Sequence, residues 1–111
     1  MGRRSALLGG LLPLLLAACA AEPIDPSPEG VYLAKCSRCH EVDGSSTTAT
    51  RQAGHRVDLR DRAFQKSHSD AELRRIAVFG TGKMQGVPGL SEERLDSLVV
   101  HLRRLGGASR P

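Results

Sequence analysis

Cys36-Ser37-Arg38-Cys39-His40 constrains this chain more than any other stretch, because it sets two thiols one helical turn apart with an imidazole directly after the second. Few chemistries use that spacing. A C-x-x-C pair can exchange disulfides in a strand-to-helix setting, or join other ligands in a zinc site. Followed at once by histidine, it is the arrangement that fastens a haem through two thioethers and offers its iron an axial imidazole. Composition bears on the choice. Tyr32, Phe64 and Phe79 are the whole aromatic complement, a thin supply of bulk for the core of a small domain. A buried haem would supply the missing apolar volume.

Three cysteines suit an exported protein only if each has its own use, since an odd number cannot all be paired. Cys19 ends Leu16-Ala17-Ala18-Cys19, which follows basic Arg3 and Arg4 and an apolar run from Ala6 to Leu16. Gly9, Gly10 and Pro13 interrupt that run, and it is too short to span a hydrocarbon core of about 30 Å. The segment resembles bacterial lipoprotein signals. That resemblance implies removal of residues 1–18 and lipid modification of Cys19 as the first residue of the mature chain. An ordinary signal peptide cut at nearby small residues would instead leave Cys19 an incidental thiol. The expected location is therefore periplasm-facing, lipid-anchored to a bacterial membrane after export by the general secretory route. By resemblance to enterobacterial sorting, Ala20 in place of aspartate favours the outer membrane.

The formal charge of +4 shrinks by two when Arg3 and Arg4 leave with the signal. Acidic and basic residues are interspersed, and no aromatic-basic interleaving is present, so no nucleic-acid partner is implied. Residues 19–28 read as a lipid-anchored, proline-rich tether containing Pro23, Pro26 and Pro28, which precedes a single domain over 29–106 and a flexible tail over 107–111.

Within the domain, Ser27 as N-cap and Pro28 in the first turn predict a helix running into the cysteine motif. Residues 41–58 are polar, lack an apolar period and read as a loop. Ser69-Asp70-Ala71-Glu72 is a capping box for a helix stopped at Gly80. Ser91 opens a last helix that presents Leu95, Leu98, Val99, Leu102 and Leu105 on one face and ends at Gly106. No period-two alternation suggests a sheet. The expected fold is all-α, three to four short helices with long loops.

An axial partner on the far side of an iron is sought in Met84, the one methionine besides the initiator. It lies in Gly80-Thr81-Gly82-Lys83-Met84-Gln85-Gly86, where glycines leave little core for a methionine to fill. A soft thioether suits haem iron and raises its potential. His55, His68 and His101 are the competing donors. His55 and His68 fall in loop and cap positions, and His101 is placed at a helix crossing against Tyr32.

Taken together, residues 28–105 resemble a bacterial class I c-type cytochrome. The resemblance rests on the motif helix, Val57-Asp58-Leu59 on the histidine side, the capped helix at Ser69, Met84 before Pro88, and the closing amphipathic helix. It implies the cytochrome c fold around one haem c held by Cys36 and Cys39. His40 and Met84 would be the axial ligands, and the first and last helices would cross with Tyr32 at their contact. Val57 stands where the family often has a proline whose carbonyl accepts the axial imidazole's N–H. Pro28 stands where a small residue usually lets the helices touch, and His101 where tyrosine is common. Arg56 or Arg60 would take the propionate that the family's tryptophan binds.

The resulting expectation is a single-electron carrier, not an enzyme, that serves an oxidase, a reductase or other cytochromes and touches the membrane through Cys19. Two other haem functions fit the same residues: a sensor or small-molecule-reducing protein with a displaceable axial ligand, and an electron-transfer subunit docked in an oxidase or reductase complex.

Overall fold

A computed structural model describes residues 23–48 and 57–107, together with Gly2, Gly9 and Gly10. The readings placed on the signal segment, Cys19, His55, Arg56 and residues 108–111 lie outside the described residues. Among the described residues lie five helices and one short hairpin: α1 Pro28–Lys35, α2 Ser37–His40, α3 Arg62–Ser67, α4 Asp70–Phe79, β1 Gly80–Thr81, β2 Met84–Gln85 and α5 Glu92–Leu105.

Helices this short need their ends satisfied, because isolated helices of this length are marginal in water. Each of the four longer ones has a side-chain N-cap. The Ser27 hydroxyl accepts from Gly30 N–H at 3.1 Å, and the Asp61 carboxylate accepts from the Ala63 and Phe64 amides. Ser69 and Glu72 close a reciprocal capping box, and Ser91 accepts from the Arg94 amide. These caps place the starts of α1, α4 and α5 where Ser27, Ser69 and Ser91 predict them.

α5 is the organising element. It packs on α1 and on α4 and buries Leu95, Leu98 and Val99, with Leu102 and Leu105 half-buried against the same core. From α1 come Val31 and Tyr32, both fully buried, joined by Leu59 and Ala77. Pro28 lies in the first turn of α1, before this contact, so the helix meets α5 through Val31 and Tyr32. The described residues are therefore predominantly helical, as the sequence predicts.

Two features depart from the expected pattern. α3 is an extra helix, announced only by Asp61 and too short to carry an apolar period. The hairpin pairs Gly80 with Gln85 and Thr81 with Met84, and two residues per strand are too few for alternation to register. Gly80 has φ +76°, and a Cβ there would run into the Met84 carbonyl oxygen. Gly82, at the tip, has φ +54° and open space around it. Gly80→Ala should therefore cost about 3 kcal/mol, combining left-handed strain with a backbone clash, whereas Gly82→Ala should cost about 1 kcal/mol from strain alone. Urea unfolding of the two variants checks the difference.

Candidate functional site

α1 stops at Cys36, whose amide bonds to the Tyr32 carbonyl at 2.8 Å, and the next turn, α2, carries Cys39 and His40. Cys36 packs against the core and Cys39 is exposed; neither is in a disulfide. The two cysteines and His40 are thus held together on one backbone segment. The His40 and Cys39 amides both point to the Cys36 carbonyl, at 3.0 and 3.2 Å.

Burial pushes the Cys36 thiol up to about 11, with the neighbouring Cys39 adding to the shift. Disulfide exchangers need the opposite, a thiol depressed towards neutrality, so the environment disfavours that chemistry. Burial also lowers the pKa of His40 below its ordinary value and keeps the imidazole neutral, as a metal ligand must be. Its Nδ1 is buried and has no hydrogen-bond partner among the described residues. The Val57 carbonyl, expected to receive that proton, instead accepts the buried Ser46 hydroxyl at 2.5 Å. Nothing in the polar Ser/Thr run singled out Ser46, since its role depends on a φ of +71°.

Met84 enters from a separate element. It is half-buried on β2, and the segment after it is tied back to α4 by Val87 N–H donating to the Ala77 carbonyl at 2.7 Å. Phe79, immediately before the hairpin, is 80% exposed, and Val42, two residues after His40, is 63% exposed. A groove of about 920 Å³ lies between Val57, Phe64 and Ser67, with Arg60 at its lining. Arg60 pairs with Asp58 at 2.9 Å and Asp43 at 3.3 Å.

The remaining described histidines are engaged in packing. His68 Nδ1 donates to the Phe64 carbonyl at 3.0 Å, and its ring lies 4.4 Å from that of Phe64. His101 is buried with its ring 4.7 Å from Tyr32, the neighbour expected from sequence.

These residues fit a covalently held haem: two thiols three positions apart, and an adjacent neutral imidazole with a buried nitrogen that has no partner among the described residues. Residues 25–102 match the family described as cytochrome c oxidase, cbb3-type, subunit III. The chain belongs to this family. Its members are c-type cytochrome domains, and the chemistry the cytochrome inherits is haem-based electron transfer. No curated protein matches the chain.

His101 gives the cytochrome a pH-dependent contribution to stability. Burial lowers its pKa from 6.5, Glu29 opposes that shift and Arg104 adds to it. The folded state therefore binds its proton less readily than the unfolded chain, so the contribution is complete above about 6.5 and is lost as pH falls towards the folded value. The thermal midpoint should fall between pH 7 and pH 5 more steeply in the wild type than in His101→Phe, as followed by circular dichroism.

Proposed function

We propose that this cytochrome is a single-electron carrier with one haem c, joined by thioethers to Cys36 and Cys39 and ligated axially by His40 and Met84. The observation that carries the reading is the Cys36–His40 segment itself: a neutral, half-buried imidazole beside two uncrosslinked thiols, in a chain of the c-type family. When bound, haem c supplies a one-electron iron couple. The chain's own contribution is to hold donors and exclude water. Cys36 anchors the segment in the core through its packing, and burial keeps His40 unprotonated. Met84 offers a soft sulfur that favours the reduced iron.

The resemblance of residues 16–19 to a lipobox supports an exported cytochrome anchored through Cys19, periplasm-facing, with the outer membrane as the favoured site. Among the described residues no helix is long and apolar enough to cross a membrane. A tether over 19–28 would then hold the domain over 29–106 near the lipid surface. Its partners would be redox proteins, among them oxidases, reductases and other cytochromes. The family match supports a second reading, in which the domain is docked as an electron-transfer subunit of an oxidase complex.

Visible spectra of chain matured in a haem-attaching host test the ligand set. Reduced bands that survive denaturation, with a weak long-wavelength sulfur-to-iron band in the native oxidised protein, are expected. Met84→Ala should keep the covalent haem, abolish that band, lower the potential and admit external ligands. Cys36→Ser should impair attachment itself. Unchanged potential and ligand access in Met84→Ala would remove methionine from the iron.

A further inference from the structure

His40 is followed by a residue under backbone strain. Glu41 has φ +62° and ψ 163°, a region populated almost solely by glycine. Something must hold a glutamate there. Its carbonyl accepts two hydrogen bonds, from the Gly44 amide at 3.2 Å and from the Tyr32 hydroxyl at 2.6 Å. The same hydroxyl lies 3.4 Å from the His40 carbonyl, which also accepts the Ser46 amide at 3.1 Å. Tyr32 is fully buried on α1, with its ring held against His101 of α5, so the hydroxyl is delivered from the helix crossing at the core.

The consequence concerns the imidazole. Among the described residues His40 Nδ1 has no hydrogen-bond partner, so what those residues contribute to the placement of its ring comes through the backbone that carries it. That backbone is fixed on its far side by the strained Glu41 turn, to which the Tyr32 hydroxyl is bonded.

We infer that Tyr32 is a positioning residue for electron transfer: its hydroxyl latches the Glu41 turn and thereby sets the presentation of His40 to the haem iron. The inference rests on the proposed ligation by His40. Imidazole is an electron donor that favours the higher charge on iron, so a loosened ring shifts the couple towards Fe(II). Packing at the helix crossing survives in Tyr32→Phe, which removes only the hydroxyl.

The test uses the full, haem-loaded chain. In Tyr32→Phe, covalent haem should be retained, while the Fe(II)/Fe(III) ratio at fixed potential should rise two- to threefold, about 20–30 mV at 59 mV per decade. Glu41→Gly relieves the turn, so in that background the effect of Tyr32→Phe should shrink to less than half. In the wild type, the Tyr32 hydroxyl proton should exchange slowly by nuclear magnetic resonance, a measurement that needs no variant to fold. An unchanged ratio with haem retained, or rapid exchange of that proton, overturns the latch. Loss of haem from the denatured wild type overturns the ligation on which the latch depends, and is told apart by the spectrum alone.

Discussion

The contact between α1 and α5 decides most of what this molecule can do, because it joins the two ends of the domain and leaves Cys36 four residues beyond Tyr32 at the crossing. Among the described residues only eight apolar side chains are buried, and Val31, Tyr32, Leu95, Leu98 and Val99 of that set belong to these two helices. At about 25 cal/mol per Å² of apolar surface, so small a set leaves a narrow margin over the conformational entropy of the loops. Apolar surface at Phe79 and Val42 lies outside this core. A large apolar group held near the motif would add to the stability of the fold as well as to its chemistry.

A second fastening compensates for the small core with polar bonds. Arg103, in the last turn of α5, donates to the Asp70 carboxylate at 2.8 Å, to the Gln65 carbonyl at 2.7 Å and to the His68 carbonyl at 2.7 Å. Gln65 in turn donates to the Leu59 and Leu102 carbonyls, at 2.7 and 2.9 Å. Hydrogen bonds to a charged group contribute roughly 1.5–3 kcal/mol each when partly buried. These bonds close the junction of α3 and α4 onto α5, where no apolar stripe would have done so. The bridge from Arg74 to Glu92 and Asp96 joins α4 to α5 in the same manner, although its acidic partners are exposed and contribute less.

The parts of this arrangement that could be read from sequence are those with local causes. Ser27, Ser69 and Ser91 cap helices through bonds to amides three residues away, and Pro28 and Gly80 act through their own backbones. The pairing of Tyr32 with His101 was also legible, because the order of the helices and the place of the aromatic matched a known pattern. α3 was not, since its six residues offer one cap and no period. Ser46, Gln65 and Arg103 were invisible for a different reason: each acts on a carbonyl many residues distant, and a polar side chain in a polar stretch carries no mark of its acceptor. The bond from Arg60 to Asp43, seventeen residues away, was hidden in the same way.

Rigidity is distributed unevenly between the two sides of the site, and the physics of electron transfer gives that division a purpose. A carrier works with least cost when few atoms move as the iron changes charge. On the motif side, the carbonyls of Cys39 and His40 are bound by the amides of Thr47 and Ser46, so the backbone is fixed by bonds that do not depend on side-chain rotamers. On the Met84 side the hairpin is fixed by Gly80, Gly86 and the bond from Val87 to Ala77, close to the exposed Phe79 and Lys83. With the proposed ligands, the imidazole is therefore held by a network reaching into the core, while the thioether is held by a small turn at the surface.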